Sequence, residues 1–173
     1  NSSFCTTVIN IQDNKNPDAV CKDITLHLDA SGSGTITTGD DDDGSSDNCN
    51  MDLSIDKDSI ACENVGVQMV TLTASESIGN LASCMASVTV MDTVTPVASC
   101  KDITLQLNAA GKAGITGADV NDGSSDACGI LSMDVAPDSF TCAEVGANTV
   151  TLTVTDNNGN TSTCTSTVTV EDN

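Results

Sequence analysis

Nine cysteines and one dense run of short acids are the groups in this 173-residue chain whose types and spacing suit chemistry. The run is Asp40-Asp41-Asp42-Asp43-Gly44-Ser45-Ser46-Asp47, and a sparser counterpart carries Asp119, Asp122 and Asp126. Of the 25 acids, 21 are Asp and four are Glu. Short carboxylates in Gly/Ser-rich loops suit calcium, which takes about six to eight oxygens at roughly 2.3–2.6 Å. An EF-hand needs an Asp five residues before its glycine, and Gly39 and Ala118 stand there instead, which excludes that motif. The alternative is that the acids are solvated loop charges on a strongly anionic surface.

Other chemistries lack their parts. The only cations are five lysines, the formal charge is −20, and Arg, Trp and Tyr are absent, so a nucleic-acid surface is excluded. A single His27 cannot build a His-rich metal centre, and as it alternates with Leu26 and Leu28 it is expected on an exposed face. Paired carboxylates without an aromatic sugar platform make a poor glycosidase, and the abundant Ser and Thr have no base to activate them. No catalytic residue is assigned, and no apolar run is long enough to span a membrane.

The cysteines also report the organisation. Their spacings are 16, 28, 13 and 22, then 16, 28, 14 and 22, a repeat of 79 to 80 residues. Cys21-Lys22-Asp23-Ile24-Thr25-Leu26 returns as Cys100-Lys101-Asp102-Ile103-Thr104-Leu105, and Asp43–Asp47 returns as Asp122–Asp126. The segment Phe4–Ile11 echoes Ser83–Val90 and Thr163–Val170. Residues 1–13 therefore read as the last strand of a preceding repeat, 17–92 as the first full copy and 96–172 as the second. On that reading Cys5 is unpaired within the chain, which is expected to be a piece of a longer array with short linkers at Asn14–Asn16 and Thr93–Thr95.

The elements that must position these groups are strands. Apolar positions alternate in Ile103, Leu105, Leu107, in Val150, Leu152, Val154 and in Val168, Val170, with β-branched Thr between them. About seven short strands per copy, broken by Gly, Asp and Asn, predict an all-β fold of tandem immunoglobulin-like β-sandwich repeats stapled by disulfides. In such a sandwich the first and last strands run side by side, which brings Cys21 to Cys84 and Cys100 to Cys164. Cys49–Cys62 and Cys128–Cys142 would then flank hairpins turning near Asp56–Asp58 and Val135–Asp138. A rival scheme joins Cys5 to Cys21 and Cys84 to Cys100, stapling neighbouring copies, and both schemes leave one cysteine over.

The same geometry puts the loop after the second strand and the loop before the last strand at one pole. Calcium ligands are therefore expected from Asp40, Asp43, Asp47, Glu76 and Asn80 in the first copy. The second copy would supply Asp119, Asp122, Asp126, Asp156 and Asn160. Asp13 or Asp92 beside the linker could add a ligand to an ion bridging successive copies.

The ordered set Cys-Lys-Asp-Ile-Thr, Asp-Gly-Ser-Ser-Asp, Val145–Asn160 and Thr163–Val170 resembles the HYR-like, immunoglobulin-like repeats of giant Bacteroidetes cell-surface adhesins. The gliding-motility adhesins exported by the type IX system are among them. The resemblance covers essentially the whole chain and departs at Glu76-Ser77-Ile78-Gly79-Asn80, where an Asp/Asn-rich loop is usual. It implies an extracellular protein of the bacterial surface, without catalytic activity in the repeats, partnered by neighbouring repeats and through other parts by surface glycans. Asp58-Ser59-Ile60 and Asp92-Thr93-Val94 resemble the Bacteroidetes O-glycosylation acceptor, which makes Ser59 and Thr93 candidate modification sites. The expected role is a non-catalytic stalk of a long adhesin or filament. The alternatives are a self-polymerising subunit that donates residues 1–13 as a strand, and a carbohydrate-binding accessory module of a secreted enzyme.

Overall fold

The computed structural model describes residues 2–77 and 79–172, so Asn1 of the leading segment and Ile78 of the Glu76–Asn80 loop lie outside the described residues. The first copy of the sequence repeat forms β1 (Ile24–His27), β2 (Ser33–Thr35), the single-turn α1 (Thr38–Asp41), β3 (Asp52–Ile55) and β4 (Ser59–Ala61). It ends in the long strands β5 (Gly66–Ser75) and β6 (Leu81–Met91). The second copy forms β7 (Ile103–Gln106), β8 (Lys112–Gly114), α2 (Gly117–Val120), β9 (Ile130–Ala136) and β10 (Ser139–Thr141). It closes with β11 (Gly146–Asp156) and β12 (Thr161–Glu171).

The same strand order occurs twice. One four-stranded sheet runs β1-β6-β5-β3 and the other β7-β12-β11-β9, each accompanied by a two-stranded sheet, β2-β4 and β10-β8. In the second copy β11 and β12 are antiparallel from Gly146↔Val170 to Thr155↔Thr161, whereas β7 lies parallel to β12 from Ile103↔Val168 to Gln106↔Glu171. Alternation explains the core. Val150, Leu152, Val154, Val168 and Val170 point inward with Ile115, Val120 and Phe140, and the intervening Thr residues point outward. Val70, Leu72, Ala74, Val88 and Val90 are the corresponding buried residues of β5 and β6.

Close contacts divide the chain into two compact units whose borders cut across the sequence copies. The first comprises Asn1–Leu26, Thr35–Ile60 and Gly66–Thr89, and the second His27–Gly34, Ala61–Val65 and Val90–Asn173.

Three disulfides are closed: Cys21–Cys84, Cys100–Cys164 and Cys62–Cys128. The first two join the segment just before the first strand of a copy to its last strand. The third corrects the hairpin pairings: Cys62 is bonded to Cys128 rather than to Cys49, and Cys142 and Cys49 are exposed thiols, as is Cys5. The reason is visible in the second copy. The limbs of the expected hairpin lie in different sheets, because β9 pairs with β11 and β10 with β8. The carbonyl of Cys128 accepts from Asn157 Nδ2 beyond the end of β11, whereas Cys142 precedes its first residue. At about 3.3 Å per residue, the length of β11 separates the two sulfurs.

Candidate functional site

The acids do not act as one set. Asp40 and Asp119 are third residues of α1 and α2, and each closes a capping box. Asp40 Oδ2 accepts from Thr37 N (2.8 Å) and Oγ1 (2.6 Å), and Asp119 Oδ2 accepts from Thr116 N and Oγ1, both 2.7 Å. These bonds hold both carboxyls below the usual carboxylate range. Asp43 and Asp122 are exposed, and only their backbone amides are engaged, on Val20 O and Ser99 O.

In the first compact unit Asp47 and Glu76 come together beside Asp13 and Cys49. The carboxylate oxygens of Asp13 and Asp47 and the Cys49 sulfur lie within 4.8 Å of one another. Asp47 Oδ2 accepts from Cys49 N (2.7 Å), which holds its carboxyl below its ordinary value, and Lys15 Nζ approaches Oδ1 only to 3.9 Å. Burial pushes Glu76 up, and the neighbouring Asp47 carboxylate adds to it. The Cys49 thiol donates to Asp13, which holds Asp13 low and raises the thiol. Asp47 Oδ1 and Glu76 Oε1 are buried with no hydrogen-bond partner. Asn80 does not present its oxygen to this group: its Nδ2 donates to Asp13 O (3.1 Å), Lys15 O (3.1 Å) and Glu76 Oε2 (3.0 Å), clipping the incoming chain to the β5–β6 turn.

The second compact unit repeats the cluster with the equivalent residues Asp92, Asp126 and Cys128. Oxygens of Asp92 and Asp126 and the Cys128 sulfur lie within 4.8 Å, although this sulfur is committed to its disulfide. Asp126 Oδ1 accepts from Cys128 N (2.8 Å), and Asp92 Oδ1 from Val94 N (3.0 Å), leaving Asp92 Oδ2 buried without a partner. Asn160 Nδ2 donates to Asp92 O (3.3 Å) and Asp156 Oδ2 (2.8 Å), the same clip as Asn80. Asp156 is fully buried, and its Oδ1 accepts from Asn158 N and Asn160 N.

Three orphaned buried carboxylate oxygens beside other acids fit a hard divalent cation, because an unpaired buried anion is costly and an oxygen-seeking ion relieves it. Asp13, Asp47 and Glu76 are the donors of one cluster, Asp92 and Asp126 of the other. The acceptor residues Ser59 and Thr93 are exposed, with Thr93 Oγ1 3.4 Å from His27 Nδ1. Asp41 was not singled out by sequence reasoning. It is wholly buried with both oxygens unpartnered, and nothing in an Asp-rich run distinguishes the acid that turns inward except its match to Val120.

The sequence matches the HYR domain over residues 91–170. No curated protein matches the chain. Among solved structures, human mucin-like protocadherin EC1-2 is similar at 13% identity and a TM-score of 0.44, covering 88% of this chain and 97% of that one. Human protocadherin-24 EC1-2 is similar at 11% identity and 0.44, covering 92% and 100%, and titin domains I67-I69 at 12% and 0.30, covering 90% and 65%. Cystines together with an HYR match indicate an extracellular setting. No helix among the described residues is long and apolar enough to cross a membrane.

Proposed function

We propose that this chain is a load-bearing, non-catalytic segment of a long extracellular adhesin or filament on a bacterial surface, of the type found in Bacteroidetes gliding-motility adhesins. The observation that carries the reading is the parallel pairing of β7 with β12, with Cys100–Cys164 tying the same two ends of the copy. Parallel first and last strands mean that the chain enters at one pole and leaves at the other. With the cystine closed, tension runs through Cys100–Cys164 into β12 and keeps 64 residues of sequence, β7 included, out of any extension; once it is reduced, tension shears the β7–β12 hydrogen bonds together rather than peeling them singly.

The boundaries that go with this reading are 17–92 and 96–172, preceded by a strand of another repeat in residues 1–13. Its support is the exposure of Ile9 (78%) and Ile11 (90%), whose counterparts Val88 and Val90 are buried in β6. Calcium at the Asp13–Asp47–Glu76 and Asp92–Asp126 clusters would brace the entry of each copy, by offsetting the repulsion among acids that Lys15 alone does not neutralise. Exposed Ser59 and Thr93 are available for O-glycosylation.

Force spectroscopy on a polyprotein of this chain tests the reading. With cystines intact, each event should release only residues outside the locked loops. Reduction should add roughly 220 Å for the loop of the second copy, at about 3.5 Å per residue. If reduction changes neither the released length nor the rupture force, the load-bearing reading fails.

A further inference from the structure

The Cys62–Cys128 bond has two open halves elsewhere in the chain. Cys62 follows β4 and rests on the Asp29–Ser33 turn, its sulfur 3.6 Å from Gly32 O. Gly32 sits at φ 73°, and a Cβ there would lie 2.5 Å from Cys62 Sγ, 3.2 Å from Ala127 Cβ and 3.4 Å from Cys128 Sγ. The notch is therefore filled by the sulfur and covered by the Ala127-Cys128 loop. All these residues belong to the second compact unit.

Cys142 reproduces the first half. It follows β10, its Sγ is 3.8 Å from Gly111 O, and Gly111, at φ 66°, would place a Cβ 2.6 Å from that sulfur. The turn beneath is clamped alike: Asp29 Oδ1 accepts from Ser31 N and Ser33 N, and Asn108 Oδ1 from Ala110 N and Lys112 N. What differs is the cover. Gly32 is buried and Gly111 only half-buried, and Val145, beside Cys142, is 53% exposed. Cys49 reproduces the other half. Its amide is held by Asp47 Oδ2 at 2.7 Å, as that of Cys128 is held by Asp126 Oδ1 at 2.8 Å, and its thiol is exposed.

We propose that Cys142 and Cys49 are half-sites of an inter-repeat disulfide with the geometry of Cys62–Cys128, and that the partner at each is another copy of this repeat. Cys142 takes the thiol of an Asp-x-Cys loop, and Cys49 takes a thiol seated in a glycine notch. One bond per junction then runs along the array as a covalent ladder. The two thiols lose two protons and two electrons as the S–S bond forms. The acceptor is a disulfide, either of a thiol oxidoreductase or of an oxidised low-molecular-weight thiol, which leaves as two thiols. The proposal deepens the array reading by naming what joins its members. The contact is heterologous, notch to loop, so it joins copies head to tail.

The chain itself carries both halves, so a second copy is the probe. The 173-residue protein with Cys5→Ser, incubated in oxidised and reduced glutathione, should give a ladder on a non-reducing gel, with Cys142 joined to Cys49 in the linked peptides. Adding Cys142→Ser or Cys49→Ser should leave monomers, and mixing those two variants should give dimers and nothing longer. Symmetric Cys142–Cys142 or Cys49–Cys49 dimers as the main product would overturn the proposal. So would monomers whose two thiols stay open to alkylation while Cys62–Cys128 is intact. Either failure leaves the force response of Cys100–Cys164 untouched, so it is distinguishable from failure of the load-bearing reading.

Discussion

Asp41 and Val120 stand at the last position of α1 and α2, and both are fully shielded from solvent. Val120 is part of the apolar core of its copy, whereas Asp41 sets a carboxyl in the same place with neither oxygen hydrogen-bonded. Burial, reinforced by Asp23 and Asp56, pushes that carboxyl above its ordinary value.

Asp41→Val should therefore stabilise the first copy by about 1–3 kcal/mol, the cost of an unsatisfied buried polar group. The pH dependence follows from the direction of the shift. A carboxyl whose folded value is raised carries no penalty below its unfolded value, and the penalty grows as pH rises toward the folded value. The lowered carboxyls of Asp13, Asp40, Asp47 and Asp119 act with the opposite sign, so Asp41 is read from the difference: the stability of Asp41→Asn relative to wild type should grow as pH climbs out of the acid range. Melts of both proteins across pH 3 to 7, roughly the span around an ordinary Asp value, check it. A wild-type slope unchanged by the substitution would sink the assignment.

Gly117 and Gly39 separate a packing glycine from a replaceable one. A Cβ on Gly117 would overlap the backbone carbonyl of Met133, while on Gly39 it would meet only Thr37 Oγ1 at 3.9 Å. Gly39 is matched by Ala118 in the second copy. Gly117→Ala should cost at least about 1–3 kcal/mol, the usual range for overpacking. Gly39→Ala should gain about 0.5–1 kcal/mol from helix propensity. Denaturant titration of both variants reads the opposite signs.

These comparisons also show where the sequence was legible. The parallel contact of first and last strands, and with it Cys21–Cys84 and Cys100–Cys164, followed from strand alternation and the cysteine repeat. Cys62–Cys128 did not. The sequence predicts a local hairpin across each remaining cysteine pair, and only the sheet change between β9 and β10 pulls them apart. The acid loop misled for a similar reason. Asp40 and Asp119 look like ligands in a linear reading, but a short helix begins at Thr38 and Gly117 and turns them into caps. Loop order groups Asp47 with Glu76 and Asp126 with Asp156 as ligands; in the structure Asn80 and Asn160 turn their amide nitrogens to Glu76 and Asp156, an orientation that sequence cannot give.

Removing Cys100–Cys164 by the paired change to Ala should cost about 4 kcal/mol, from the loop-closure entropy of 64 residues. The second copy should then melt well below the first, since Cys21–Cys84 is retained. Differential scanning calorimetry should resolve one transition moved and one not.

Calcium should raise the melting temperature of the oxidised chain, and excess EDTA should abolish the rise. At about 100 times the dissociation constant the gain is about 2.7 kcal/mol, a shift on the order of 10 °C for a domain this small. Asp92→Asn and Asp126→Asn should remove the second copy's share, since these hold the orphaned oxygen and its neighbour. Asp122→Asn, in an exposed residue outside the cluster, should not. In the first copy a proton on Glu76 competes with the ion, because burial raises that carboxyl. Affinity there should strengthen as pH rises through the raised value and Glu76 ionises, and Glu76→Gln should remove that dependence. Isothermal titration of calcium at several pH values, with Glu76→Gln as the comparison, separates the two sites. Superimposed melts with and without calcium would assign the acids to surface charge and leave stiffness to cystines and packing.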